Sequence, residues 1–249
     1  MKILKKIGII ALWVVIWQVA ALIIHNSVLF AGPIETIKSL FGLLGDGEFI
    51  SSVLSSYVHI MGGILIGVIL GVVLGIASYK ISIVKDLLSP IAQVVKAVPV
   101  ASFAVLVLIW FGSGNVSTVI SALVVFPIVY TSVLEGISAS AADLLEMAYV
   151  YRMPRFNQVR YIYLPSLVPF FKSSLSLSIG MGFKSGVAAE VIGQSALTMG
   201  NGLYKAKVLL DTSELFAWTF TIVLVSYITE KIITGLITLL GGKGAKGDN

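Results

Sequence analysis

Cysteine is absent from this 249-residue sequence, and charged side chains make up only 12% of it. The lack of cysteine excludes disulfides, thiolate metal sites and thiol nucleophiles, and it leaves the redox compartment undetermined. Soluble domains carry about twice that share of charged residues. The scarcity of charge, together with a hydrophobic content of 57%, argues against a water-soluble protein.

Motifs for nucleotide hydrolysis, catalysis and metal binding are also absent from the sequence. The stretch nearest to a G-x-x-x-x-G-K-[ST] phosphate-binding loop runs from Gly182 to Ser185, but it lies in an apolar run and lacks the glycine before Lys184. The two histidines, His25 and His59, are isolated from each other and from carboxylate pairs, which favours interfacial side chains over metal ligands. We therefore predict no catalytic residue, no metal site and no cofactor in this chain.

The residues that are present form long apolar runs, and each approaches the roughly 20 residues that a helix needs to cross a bilayer. We predict an all-α, polytopic transmembrane helical bundle within residues 1–240, with six spans: Ile7–Ile24, Tyr57–Tyr79, Val94–Phe111, Val116–Ile137, Val168–Val187 and Phe216–Leu240. The first run is longer than the apolar core of a signal peptide and lacks a clear cleavage pattern, so we expect it to be retained. Pro99 and Pro127 are expected to kink the third and fourth spans.

Lysine and arginine are concentrated in alternate connections, which predicts the orientation because these cations stay on the cytoplasmic side. They precede the first span, follow the last, and join the second to the third and the fourth to the fifth: Lys2, Lys5, Lys6, Lys80, Lys85, Lys96, Arg152, Arg155, Arg160, Lys243 and Lys246. The opposite connections hold only Lys38, Lys205 and Lys207. Both termini are therefore predicted to be cytoplasmic. The glycine-rich, charged tail from Gly241 to Asn249 is expected to be disordered.

The connection between the fourth and fifth predicted spans, residues 139–165, is long for a simple loop, and such length usually indicates function. Ser140 with Asp143, or Asp143 with Glu146, has the spacing of a capping box at the start of a helix. We predict a short cytoplasmic helix from about Ala141 to Tyr151, which Pro154 prevents from continuing.

Glycine recurs at every fourth residue of the second span, at Gly63, Gly67, Gly71 and Gly75. This spacing places the four glycines on one helix face, where another backbone can approach closely. Chance in a chain with 24 glycines is the alternative. We favour a helix-packing face without chemistry of its own.

The connection at 139–165 also carries a motif that resembles the EAA signature of bacterial ABC-importer permeases, which is E-A-A, three residues, G, nine residues, then I-x-L-P. The matching residues are Glu146, Met147, Ala148, Arg152, Ile162, Leu164 and Pro165, and Asp143 precedes them. The resemblance implies a coupling helix that docks in a groove of a separate ATPase subunit, with Ala148 as the small residue pressed into that groove. Met147 replaces one alanine, and Arg152 replaces the glycine that would favour a left-handed turn.

Further segments extend the resemblance over nearly the whole chain. They are Pro33–Thr36, Lys96–Pro99, Trp110–Gly114, Lys184–Gly193 and Gly200–Gly202, and they are similar to the nitrate, sulfonate and taurine branch of these permeases. The resemblance implies a multi-pass subunit of the bacterial inner membrane that imports a small solute by alternating access. The solute would be an anion such as a sulfonate or nitrate, or a vitamin precursor. The implied partners are a second copy of the permease, two ATPase subunits that bind ATP and Mg²⁺, and an extracytoplasmic binding protein.

Lys184 and Glu190 are the charges nearest the membrane interior, and charges placed there are costly enough to suggest a function. Lys184 lies about 24 Å along the fifth span at 1.5 Å per residue. It either faces the substrate pathway or extends to the interface. A secondary transporter is the alternative function, but we see no inverted repeat and no row of buried carboxylates along a path.

Overall fold

The computed structural model describes residues 2–140 and 142–241, and within these residues the chain consists of helices and their connections. The helices are α1 (Lys2–Ile24), α2 (Pro33–Leu44), α3 (Gly47–Lys80), α4 (Ser82–Ala97), α5 (Val100–Phe111), α6 (Val116–Ser138), α7 (Ala142–Val150), α8 (Arg155–Gln158), α9 (Leu164–Gly193), α10 (Met199–Val208) and α11 (Thr212–Gly241). A π-helical turn, Val159–Tyr163, joins α8 to α9. The all-α prediction is confirmed. The predicted disordered tail lies outside the described residues, except for Gly241, which ends α11.

Five stretches of helix are long and apolar enough to cross a membrane: Ile7–Ile24, Gly47–Lys80, Val116–Ser138, Arg155–Gly193 and Thr212–Leu239. Each overlaps one of the predicted spans, and most extend beyond it because helix formation continues into flanking polar residues. The clearest case is α3, which begins ten residues before Tyr57 with the serine-rich stretch around Ser52 and Ser56. Both serines lie within the helix and are buried, so their polar side chains do not indicate a loop before Tyr57.

The predicted third span, Val94–Phe111, is wrong as a single helix. The structure has two helices there, α4 and α5, which meet at an angle of 105°. Val98 is extended, with φ −75° and ψ 133°, because the ring of Pro99 disfavours helical backbone in the residue before it. Pro99 therefore breaks the helix, whereas Pro127 remains inside α6. A count of six spans holds only if the bent pair counts as one.

The described residues divide into two compact units, of which the first comprises Met1–Tyr57 with Gln194–Val225. In this unit the ring of Phe216 lies 5.5 Å from Trp17 and 5.9 Å from Phe30, both edge-on. Trp17 Nε1 also donates to the carbonyl oxygen of Ala31 at 3.0 Å. These contacts attach the connection between α1 and α2 to the start of α11.

Two capped helix starts complete the first unit. Thr198 caps α10 by accepting from the amide of Asn201. Asp211 caps α11: its carboxylate accepts from the Glu214 amide at 3.0 Å and from the Ser213 hydroxyl at 2.7 Å. These hydrogen bonds hold the pKa of Asp211 below its usual range, and the bond from the Glu214 amide lowers it most.

The second unit comprises Val58–Gly193 with Ser226–Asn249, so far as these residues are described, and α6 lies at its centre. The core joins α5, α6 and α9 through the buried side chains of Ala104, Val107, Val116, Ile120 and Ala189. Ser121 of α6 donates to the carbonyl oxygen of Gly182 in α9 at 3.1 Å. The central helix is therefore fixed to α9 by apolar packing and by a buried hydrogen bond.

Candidate functional site

The short helix predicted in the 139–165 connection is present as α7, Ala142–Val150. Neither predicted capping box explains its start. Ser140 Oγ has no hydrogen-bond partner among the described residues, and Asp143 lies inside the first turn of the helix. A carboxylate in the first turn is favourable there because of the helix dipole.

The end of α7 is a left-handed turn at Arg152, whose φ is +51°. The amide of Met153 donates to the carbonyl oxygen of Ala148 at 2.8 Å, and the amide of Arg152 donates to that of Tyr149 at 3.1 Å. This pair of bonds is the Schellman motif, in which glycine usually occupies the left-handed position. Arg152 thus adopts the turn that a glycine would favour, at a conformational cost of about 1 kcal/mol.

The chain beyond the turn runs without a loop into α9. Pro154 is the N-cap of α8, and the π-helical turn then leads directly to Leu164. Gln158 Nε2 reaches back to donate to the carbonyl oxygen of Met153 at 2.9 Å. The connection is therefore a folded element, and residues 155–193 form one nearly continuous helical stretch.

The residues of the EAA-like motif divide between a buried set and an exposed set. Ala148 and Ile162 are buried, with exposed fractions of 1% and 4%. The exposed residues are Asp143, Glu146, Met147, Arg152, Leu164 and Pro165. The expectation that Ala148 presses into a partner's groove is therefore corrected: its methyl group is covered by this chain.

The most exposed large hydrophobic residues of the connection were not among the residues predicted from the sequence. Tyr149, Val150, Tyr151 and Phe156 are 73–84% exposed. The signal available in the sequence was the run of two tyrosines around a valine within an otherwise polar connection. Large apolar side chains at such exposure indicate a contact surface. Met147, Val150 and Tyr151 are three and four residues apart, on one side of α7 and its end. We call these three residues, together with Phe156, the aromatic patch.

Lys184 and Glu190 both lie on α9, and the structure does not bring them together. Lys184 is exposed, whereas Glu190 is fully buried. Six helical positions separate the two side chains by about 120° around the axis. Lys184 shares its exposed face with Leu177, Gly180 and Ala188, which recur at intervals of three and four residues.

The glycine face of α3 lies against α6. A methyl group placed on Gly63, Gly67, Gly71 or Gly75 would come within 2.2–2.9 Å of an α6 atom. At Gly63 the nearest atom is the carbonyl oxygen of Thr118, and at Gly67 it is that of Ala122. The two backbones are therefore in direct contact, which is what small residues at a membrane helix interface permit.

Comparison with solved structures supports the helical architecture. A structure described as an amino acid ABC transporter with histidines superposes with a TM-score of 0.60 over 79% of this chain and 94% of the matched chain. The identity is 19%, so this likeness concerns the fold alone.

Sequence comparison identifies relatives that are similar over most of their length. The taurine transport system permease protein of Escherichia coli K12 is 26% identical, covering 90% of this chain and 84% of the relative. A putative aliphatic sulfonates transport permease protein of Bacillus subtilis is 26% identical, with coverage of 92% and 84%. Residues 63–241, well over half of the chain, match the family described as binding-protein-dependent transport system inner membrane component. This chain is therefore a multi-pass membrane protein that belongs to the family of binding-protein-dependent transport system inner membrane components.

Proposed function

We propose that this chain is the permease subunit of an ATP-binding-cassette importer that moves a small anionic solute into the cytoplasm. The family and the taurine and sulfonate relatives support this function. A second copy of the chain, two ATPase subunits and an extracytoplasmic binding protein complete the importer, with ATP and Mg²⁺ bound by the ATPases. The termini and the 139–165 connection lie in the cytoplasm, as the distribution of lysine and arginine predicts.

The single observation that carries the mechanism is the aromatic patch on the folded 139–165 connection. In this proposal the patch contacts the ATPase subunit together with the exposed Asp143 and Glu146, whereas the buried Ala148 and Ile162 pack within the chain. When a partner covers apolar side chains that are exposed in the isolated chain, their removal from water lowers the free energy of the complex. Arg152 forms the turn that ends α7, and Pro165 lies in the first turn of α9.

Motion at the patch reaches the substrate pathway through α9. Buried Ala148 fixes α7 to its own chain, and the stretch from Arg155 to Gly193 is helical without an intervening loop. Lys184 lies near the far end of that stretch. Displacement of the ATPases therefore reorients the face of α9 that carries the lysine, as alternating access requires.

The anionic class of substrate follows from Lys184 and from the relatives' names. An exposed ammonium group on an apolar span is costly in lipid and favourable beside an anion in a pathway. Glu190 is buried within the chain and is assigned a structural role.

The test of coupling uses reconstituted complexes with the ATPase subunits. Tyr151→Glu should reduce co-purification of the ATPase and abolish substrate-stimulated ATP hydrolysis, because a carboxylate cannot enter an apolar contact. Tyr161→Glu is the matched control, since Tyr161 is 60% exposed in the same connection but is not part of the patch. Equal loss in both variants, or in neither, contradicts the assignment of the patch. Ala148→Arg is a poor test because it disrupts the connection itself.

The test of the pathway is uptake of taurine, an alkanesulfonate and nitrate into proteoliposomes that contain the complete importer. Lys184→Met should lower uptake while ATPase association stays intact. Lys172→Met, which removes a second lysine from the same helix, should transport normally. Normal uptake by Lys184→Met would assign that lysine to the membrane interface.

A further inference from the structure

Helix α2 carries two adjacent apolar stripes, and the protein covers only one of them. The inner stripe includes Pro33 and Thr36, which are both buried. The second stripe, here called the α2 stripe, consists of Ile34, Ile37, Phe41 and Leu44, whose exposed fractions are 57%, 52%, 69% and 50%. Its spacing of three, four and three residues places all four side chains on one face. Glu35, Lys38 and Gly42 lie outside both stripes and are exposed.

The rotation of α2 about its own axis is fixed within its compact unit. Besides the buried Pro33 and Thr36, the hydroxyl of Ser39 lies 2.7 Å from the hydroxyl of Ser213 at the start of α11. The α2 stripe therefore cannot turn inward without breaking these contacts.

The connections on both sides of α2 keep it at the membrane surface. Residues 25–32 separate it from α1, and residues 45–46 separate it from α3; both neighbours contain spans. Two extended residues reach only about 7 Å. The first turns of α3 expose Ile50 and Leu54 at 59% and 61%, so an apolar surface continues from the span to the neighbouring helix.

We propose that α2 lies in the plane of the membrane surface and inserts the α2 stripe among the upper segments of the lipid acyl chains. Three observations support this position: the stripe is apolar and uncovered, its orientation is fixed, and two spans hold the helix at the level of the bilayer. Amphipathic helices at such a position bury their apolar face about 5–10 Å into the boundary between headgroups and acyl chains. Glu35 and Lys38 then face the headgroups and water.

The absence of cysteine makes a labelling experiment direct, because every introduced thiol is unique. The full chain is reconstituted in bilayers as single-cysteine variants labelled with a fluorophore. Ile37→Cys and Phe41→Cys probe the stripe, and Lys38→Cys and Gly42→Cys are the matched positions on the other face. The quenchers are lipids with a nitroxide high on the acyl chain, lipids with a nitroxide at the chain end, and water-soluble iodide. Val14→Cys, in the middle of α1, marks the bilayer interior.

Labels at positions 37 and 41 should be quenched several-fold more by the shallow nitroxide than labels at 38 and 42. They should also respond less to the deep nitroxide than the label at 14 does. Iodide should give the reverse order between the two faces of α2. Stronger iodide quenching at 37 and 41 than at 38 and 42 would overturn the proposal, because the stripe would face water. Protection of 37 and 41 from all three quenchers would also overturn it, because a second protein surface would then cover the stripe. The outcome does not depend on the ATPase partner or the solute.

Discussion

The contact between α3 and α6 at Gly63 gives the sharpest test of the packing in the second unit. An alanine methyl group there would lie 2.2 Å from the carbonyl oxygen of Thr118 and 2.9 Å from Cβ of Ser121. A carbon and a carbonyl oxygen normally come no closer than about 3.3 Å, so α3 and α6 would have to separate by about 1 Å. The carbonyl cannot move away alone, because it belongs to the backbone of α6.

The expected magnitude follows from two opposing terms. Overpacking of a close contact costs about 1–3 kcal/mol, whereas alanine in place of glycine favours a helix by up to about 1 kcal/mol. Gly63→Ala should therefore lower the free energy of unfolding by about 1–2 kcal/mol. Gly62→Ala is the matched control: no atom lies within 4 Å of the methyl group it would add. That variant retains only the helix-favouring term and should be as stable as the wild type or slightly more stable.

A gradient along α3 makes the test more specific. At Gly75 the nearest atom to an added methyl group is Cγ1 of Val133, at 2.9 Å, and a side chain can adjust where a carbonyl cannot. Gly75→Ala should therefore cost less than Gly63→Ala. The assay is thermal unfolding in lipid nanodiscs, followed by intrinsic tryptophan fluorescence. If Gly63→Ala is as stable as Gly62→Ala, the close contact between the two backbones is wrong.

Three further substitutions test local features. Arg152→Gly should raise stability by about 1 kcal/mol, because glycine adopts the left-handed turn without strain; this is measured by chemical or thermal unfolding. Gly202→Ala should lower stability by about 1–3 kcal/mol and change the near-ultraviolet circular dichroism, because its methyl group would lie 2.2 Å from Cε2 of Trp218. In the Asp211→Asn variant, thermal stability should fall less steeply below about pH 4 than it does in the wild type. The hydrogen bond from Glu214 lowers the pKa of Asp211, so the wild type keeps that stabilisation above the unfolded pKa and loses it as the pH falls through the folded value.

Each of these predictions has a control. Arg152→Ala removes the same side chain but keeps the strained backbone, so equal stability of the alanine and glycine variants would contradict the strain argument. Gly47→Ala adds a methyl group with no atom within 4 Å and should leave the first unit unchanged. Asparagine still caps a helix, so parallel pH profiles of wild type and Asp211→Asn would show that the carboxylate does not titrate as described.

The sequence predicted more of the structure of the 139–165 connection than of the substrate pathway. The short helix was correctly predicted, because Pro154 and the change from apolar to polar residues are local signals. The burial of Ala148 was not predicted, since an alanine in a helix fits both a buried and an exposed position. The aromatic patch was missed because the exposure of Tyr151 and Phe156 depends on what surrounds them. Lys184 and Glu190 were grouped because both are charged. Which of the two is exposed depends on the face that α9 presents to its neighbours, and the structure buries Glu190.

What the sequence by itself determined about this protein is its solvent and the approximate positions of its spans. A span is specified by the apolar length of its own residues, because every backbone polar group must be satisfied within the helix. The tertiary structure decided the features that depend on a neighbour. These are the break at Pro99, which replaces a predicted kink, the left-handed backbone that Arg152 adopts, and the pairing of Gly63 with a carbonyl of α6. The physical reason is that the sequence allows more than one backbone conformation at Pro99 and at Arg152 and does not reveal which helix faces Gly63, whereas the folded chain selects one arrangement at each position.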